Sequence, residues 1–344
     1  LTGLTKGLLQ KGALRFESLP GTRNEVVALP FDNYFGNKLV FKRSNSGILR
    51  REYDISRFGF DIYDQKDAVS PPLTFIDFFQ DTNEPKIEIL NKYQRQFYFV
   101  MWRLAGQDLR EVVGEKGIST SLTKKAIEAL AEFHLRATHN KEKAKDYFKL
   151  EEYKFRERYD HHFASMFDFD ERQEINALFL HFAQELQNNS NCVSHGDFHT
   201  GNVIQLNNGR LSIIDLEKVC LAPPSFDITN FLEDEHVSSE KNKEKIITEY
   251  HSIVSSEKEI VPDYEKFLKM IYINSLFTNS RFTGIKHSNI GEEFGDSDSN
   301  SQSFNEYRKR SLSAINSIIP FANKKEKEIL YKLQEKYESI KVTN

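Results

Sequence analysis

Residues 193–217 read Val193-Ser194-His195-Gly196-Asp197-Phe198-His199-Thr200-Gly201-Asn202-Val203-Ile204-Gln205-Leu206-Asn207-Asn208-Gly209-Arg210-Leu211-Ser212-Ile213-Ile214-Asp215-Leu216-Glu217. This stretch decides the reading of the rest of the chain. Val203–Leu206 and Leu211–Ile214 read as short strands, and Asn207-Asn208-Gly209-Arg210 between them has the chemistry of a hairpin turn. A hairpin brings its ends together, so Asn202 and Asp215 are expected side by side, with Asp197 on the loop leading in. Two carboxylates and an amide oxygen in one place suit a hard cation such as Mg²⁺ with a phosphate chain.

Working outward, the residues before this stretch change character once. Up to about residue 105 they read as strands with one helix. Leu19-Pro20-Gly21-Thr22-Arg23-Asn24 is a turn that opens the strand Glu25–Leu29, and Gly21 there lets backbone amides approach an anion. Lys38–Arg43 is the next strand, with Val40 and Lys42 on one face. A helix over about Ser46–Phe58 carries Ile48, Leu49, Ile55 and Phe58 at helical spacing. Glu52 falls on that apolar stripe. An acid there needs a cation, and Lys42 on the adjacent strand is the candidate; otherwise Glu52 is solvated like Arg50, Arg51 and Asp54. Leu73–Phe79 and Gln96–Trp102 are further strands, and Ile87–Leu90 is a weaker one. The second strong run ends at Met101-Trp102-Arg103-Leu104, where free backbone groups are placed to meet a flat heterocycle.

From residue 106 the period is helical. Ser121–Arg136 is amphipathic, with Ser119 or Thr120 as its cap. Lys141–Arg158 is expected to be a charged helix, and Phe163–Leu186 to contain another. Phe226–Leu232, Glu240–Ile253, Asp263–Phe277, Phe304–Ile319 and Lys324–Lys341 complete the helical part. Lys286–Gln302 is polar and reads as a loop, a candidate lid. The expected fold is α+β: a small antiparallel sheet lobe with one helix (residues 1–105), then a larger helical lobe (106–344).

Composition narrows the function classes. Hydrophobic residues make up 39% and charged residues 28% of 344, and the net charge is −4. That is ordinary globular composition, with no basic footprint for nucleic acid. No run approaches the ~18–20 apolar residues of a membrane span. Two cysteines, Cys192 and Cys220, form no disulfide framework and read as buried thiols. No basic-then-apolar leader is visible, so the expected compartment is the cytoplasm. Nothing in the sequence sets an oligomeric state.

An aspartate, an asparagine five residues later and a second aspartate thirteen after that match the spacing of protein-kinase catalytic and metal loops. Lys42 and Glu52 stand upstream in the order that chemistry requires. Yet no H-R-D and no D-F-G is present. His195-Gly196-Asp197-Phe198-His199-Thr200-Gly201-Asn202 resembles the H-G-D-x-x-x-x-N motif of the aminoglycoside phosphotransferase and choline kinase superfamily. Ile214-Asp215-Leu216-Glu217 resembles its I-D-x-E motif, and Phe226-Asp227-Ile228 the F-D-I that follows in choline/ethanolamine and methylthioribose kinases. The likeness runs from about Leu19 to Leu232 and implies a two-lobed protein-kinase-like fold. It implies a kinase using ATP and Mg²⁺ on a small-molecule hydroxyl of the aminoglycoside, amino-sugar or amino-alcohol class.

Asp197 would be the catalytic base, Asn202 and Asp215 the metal ligands. Gly21, Thr22, Asn24, Lys42, Glu52, Met101, Trp102 and Leu104 would contact or support the nucleotide. His195 is expected to bond the loop backbone, Asp227 to cap its helix and brace the catalytic loop, and Glu217 to orient the metal site or bond a loop amide. The chain departs from its relatives in having one phosphate-loop glycine and a single tryptophan, Trp102, which disfavours choline. Glu233-Asp234-Glu235 offers three carboxylates to a cationic acceptor, unless the run is a solvated face. Two other functions stand beside this one: a kinase of Ser/Thr side chains on the same scaffold, and a nucleotide-binding regulator that has lost turnover. The complete set Lys42, Asp197, Asn202 and Asp215 speaks against the last.

Overall fold

The computed structural model describes residues 17–18, 25–28, 39–44, 48–63, 72–79, 95–102, 104–155, 169–237, 240–289 and 297–339. Two compact units divide the chain: Leu1–Leu150 with Thr200–Val219, and Glu151–His199 with Cys220–Asn344. Strands on both sides of residue 105 belong to the first unit.

In the first unit, β1 (Glu17–Ser18), β2 (Glu25–Ala28), β3 (Leu39–Ser44), β4 (Pro72–Phe79) and β5 (Arg95–Trp102) form one antiparallel sheet in the order β1-β2-β3-β5-β4. Helix α1 (Ile48–Ile62) packs against this sheet. It buries Ile55 and Phe58, as their spacing predicts, and Glu52 with them. The expected strand Ile87–Leu90 lies outside the described residues.

Past the sheet come β6 (Gly106–Asp108), α2 (Leu109–Val113), α3 (Thr120–His139) and α4 (Lys141–Ala144). Asp108 caps α2 by accepting from Glu111 N at 2.7 Å, and Ser119 caps α3 by accepting from Leu122 N at 3.3 Å. The charged helix expected over Lys141–Arg158 stops after one turn. Its continuation is drawn into strand-like pairing instead: Tyr153 N donates to Leu221 O and Leu221 N to Glu151 O, each at 2.8 Å. Residues 156–168 lie outside the described ones.

The second unit begins its described part with α5 (Phe169–Gln187) and β7 (Cys192–Ser194). The chain then returns to the first unit for the hairpin β8 (Val203–Leu206) and β9 (Leu211–Ile213). β8 pairs with β6 on its other side. Gly106 is required there: a Cβ at that position would stand 2.2 Å from the carbonyl oxygen of Gln205.

The remaining elements belong to the second unit. They are β10 (Cys220–Ala222), α6 (Ser225–Leu232), α7 (Glu240–Val254), α8 (Tyr264–Asn289), α9 (Ser297–Ile318) and α10 (Lys324–Ser339). The polar stretch read as a loop over 286–302 is helical at both ends, since α8 runs on to Asn289 and α9 starts at Ser297. Residues 290–296 are outside the described set. The polarity there reflects helix ends with few apolar positions, which periodicity alone reads as loop. Cys192 and Cys220 are buried and form no disulfide. Among the described residues no helix is long and apolar enough to cross a membrane. The α+β class read from the sequence is the class observed.

Candidate active site

The loop that carries Asp197 leaves β7, whose three residues are all buried and pair antiparallel with β10. Its backbone is held from two directions. The Asp227 carboxylate accepts from His195 N at 2.6 Å and from Gly196 N at 2.8 Å, all fully or largely buried. The buried His195 ring accepts from Asp197 N at 3.2 Å through Nδ1. Gly196 takes a φ of 83°, a conformation that side-chain-bearing residues rarely adopt. Phe198 is buried against Phe231 of α6, ring centroids 5.4 Å apart. With its neighbours pinned, the Asp197 side chain remains 34% exposed, and His199 Nε2 stands 4.0 Å from its Oδ2. A carboxylate presented on a fixed loop, with solvent access, is what orienting a hydroxyl requires.

Asp227 braces this loop, as expected, but it does not cap its own helix. The N-cap of α6 is Pro224, and no side chain bonds the first turn. Both carboxylate oxygens are turned to the loop amides instead.

In the first unit, a short 3₁₀ turn over Thr200–Asn202 leads into the hairpin. Val203 is opposite Ile213, and Ile214 N donates to Asn202 O at 3.0 Å. The hairpin therefore brings buried Asn202 to the backbone just before Asp215, as the turn chemistry predicts. Asp215 adopts φ 61° and ψ 57°, and it is the one non-glycine residue with positive φ among those described. That conformation costs on the order of 1–2 kcal/mol for an L-residue and persists only where the surroundings impose it.

Carboxylate oxygens of Glu52, Asp215 and Glu217 lie within 4.8 Å of one another. Two unit charges at about that distance repel by roughly 3–4 kcal/mol at an effective dielectric constant of about 20. A shared divalent cation offsets such repulsion, and the oxygen donors are those a hard cation takes. The residues present thus fit a Mg²⁺ site. The Glu217 carboxylate thus lies beside those of Glu52 and Asp215.

Sequence reading missed Arg51. From α1 its guanidinium donates through Nη1 to Glu217 O and through Nη2 to Val219 O, the latter at 2.7 Å. One fork thereby fixes the segment that follows Asp215. We expect Arg51→Ala to lower turnover about tenfold or more while the far-ultraviolet circular dichroism is unchanged, since each bond from a charged group contributes roughly 1.5–3 kcal/mol. Arg51→Lys should not restore it, because an ammonium lacks the planar two-pronged geometry. Steady-state kinetics of the two variants checks this.

The other predicted residues are placed as follows. Gly21, Thr22 and Asn24 lie outside the described residues. Lys42 sits in β3, opposite Val26 of β2 and Phe99 of β5. Met101 and Trp102 end β5 opposite Val40 and Leu39. The side chains of Lys42, Met101 and Trp102 lie outside the described ones, and so does the expected Lys42–Glu52 pair. Leu104 follows the strand and is partly buried.

Comparison with known proteins bears on the family and the fold. The sequence profile of the Phosphotransferase enzyme family (APH) matches residues 76–249. No curated protein matches the chain by sequence. An amicoumacin kinase in complex with AMP-PNP, Ca²⁺ and Ami is similar in structure, with TM-score 0.64 at 13% identity over 89% of this chain and 92% of that one. APH(2")-IIIa in its GDP and kanamycin complex gives 0.59 at 14% identity over 90% and 98%. An ethanolamine kinase from Plasmodium vivax gives 0.53 at 12% identity over 90% and 85%. These likenesses speak for the fold, and the profile for the family. The chain is a member of the Phosphotransferase enzyme family.

Proposed function

We propose that this phosphotransferase is an ATP- and Mg²⁺-dependent kinase that phosphorylates a hydroxyl of a small molecule, in the aminoglycoside, amino-sugar or amino-alcohol class. The observation that carries the reading is the Asp197 carboxylate, left accessible on a loop whose flanking backbone is bonded by Asp227 and His195. In the step proposed, the acceptor oxygen attacks the γ-phosphorus of ATP. Its proton passes to Asp197, and the bond from γ-phosphorus to the bridging oxygen breaks to release ADP. Asn202 and Asp215 are the residues that would hold Mg²⁺, with Glu52 and Glu217 beside Asp215. When bound, the cation supplies neutralisation of charge on the phosphate oxygens.

The nucleotide contacts fall to residues 1–105 in this reading: Gly21, Thr22 and Asn24 at the phosphates, Lys42 at the α- and β-phosphates, and Met101, Trp102 and Leu104 at the base. Residues 106–344 supply catalysis and acceptor binding. Glu235, exposed beyond α6, would in this reading draw a cationic acceptor from solution.

The test is nucleotide turnover by the whole chain with Mg²⁺ over a panel of aminoglycosides, amino sugars, amino alcohols and nucleosides, with ATP and GTP in parallel. Acceptor-dependent release of ADP, abolished by EDTA, is the expected result. Phosphate transfer to protein serine or threonine with no small-molecule acceptor in the panel would overturn it.

A further inference from the structure

Four helices of the second unit, α6, α7, α8 and α9, line a cavity of about 640 Å³, a size usual for small-molecule sites. Its charged end is built around one buried carboxylate. The Glu233 side chain is 7% exposed and receives Lys243 at 3.4 Å and Arg310 at 3.6 Å. The Ser275 hydroxyl donates to it at 2.6 Å. Arg310 also donates to Glu233 O and to Glu306, each at 3.0 Å. Lys243, Arg310, Glu233 and Glu306 cancel in charge.

What remains is one group of each sign. Glu244 on α7 and Lys309 on α9 both line the cavity and are exposed. Neither makes an ion pair among the described residues. Leu232, Ile247 and Ile271 add apolar lining. The half-buried Tyr272 hydroxyl is held above its ordinary value by burial and by nearby Tyr264 and Glu244, so it stays a neutral donor. Among the described residues the lining has no net charge and offers one exposed cation and one exposed anion on different helices, which disfavours a purely cationic or purely anionic guest. It matches a molecule that carries both charges and an apolar part.

The cavity is not the acceptor position. On α6, Asp227 and Phe231 are four residues apart and face the Asp197 loop. Thr229, Leu232 and Glu233 point to the other side of that helix and line the cavity. No residue of the loop 194–199 is among those lining it.

We infer that this cavity is a second ligand site that takes a small zwitterion of the amino-acid class, carboxylate toward Lys309, ammonium toward Glu244 and side chain on the apolar lining. The test is calorimetric titration of the whole chain with each of the twenty standard L-amino acids. At least one should bind, and its decarboxylated and deaminated analogues should bind at least tenfold more weakly. Lys309→Gln and Glu244→Gln should each weaken it at least tenfold with unchanged melting temperature in the absence of ligand, both side chains being exposed. Asp197→Ala should bind it as the parent does. The inference is overturned if none of the twenty binds, or if binding survives both glutamine variants. It is equally overturned if Asp197→Ala abolishes binding, which would make the amino acid the phosphate acceptor.

Discussion

Asp197→Ala should abolish phosphoryl transfer and leave nucleotide binding intact. Loss of a positioned general base typically costs ~10²–10⁴ in rate. The loop is bonded through the amides of His195 and Gly196 and through the His195 ring, and these bonds do not involve the Asp197 carboxylate. Its side chain is partly exposed, so truncation leaves no cavity. The expected outcome is therefore a folded chain with parent-like affinity for ATP, measured by titration, and kcat reduced by at least a hundredfold. Turnover within tenfold of the parent would remove Asp197 from the role assigned to it. Asp197→Asn should be nearly as inactive, since an amide oxygen of similar shape accepts no proton.

Asp227→Asn should be the more destructive change to the protein itself. Its carboxylate is completely buried and accepts two backbone N–H groups. An amide in its place offers one oxygen where two acceptors stood, and turns an NH₂ toward a donor. Leaving a buried donor unsatisfied costs roughly 1–3 kcal/mol, more where a charge had been the partner. We expect a loss of roughly 2–4 kcal/mol, read as a lower denaturant midpoint with unchanged slope. The residual folded fraction should also have lost activity, because the loop before Asp197 is no longer pinned. A variant with parent stability would show that the two amides find other acceptors.

The legibility of this molecule follows the range of its interactions. The hairpin that brings Asn202 to the backbone before Asp215 could be read because Asn-Gly turns have a local signature. α3 could be read because burying one face imposes a period on consecutive residues. Arg51 could not. It lies among Arg50 and Asp54 in what looks like a solvated run, and its partners are carbonyls 166 and 168 residues away. Backbone carbonyls leave no mark on a sequence. β7 and β10 are three residues each, too short for alternation to declare itself. The left-handed backbone at Asp215 was equally hidden, since aspartate there is explained by its chemistry alone. Residues 141–158 misled for a related reason: charge at helical spacing says nothing of a strand partner that arrives only at Leu221.

The pairing of β6 with β8 also sets a timetable. Gly106 is registered against Leu206, so β6 leaves the ribosome about a hundred residues before its neighbour exists. At about 5–20 residues per second, the strand waits on the order of 5–20 s with its edge open. The close approach at Gly106, needed in the finished sheet, leaves that waiting edge without a side chain to shield it. A nascent chain stalled before Val219 holds every element of the sheet β1–β5 and still lacks part of the unit it belongs to. Slow or interrupted synthesis through residues 110–200 should therefore expose β6 to aggregation, and that interval is when a chaperone would matter most to this protein.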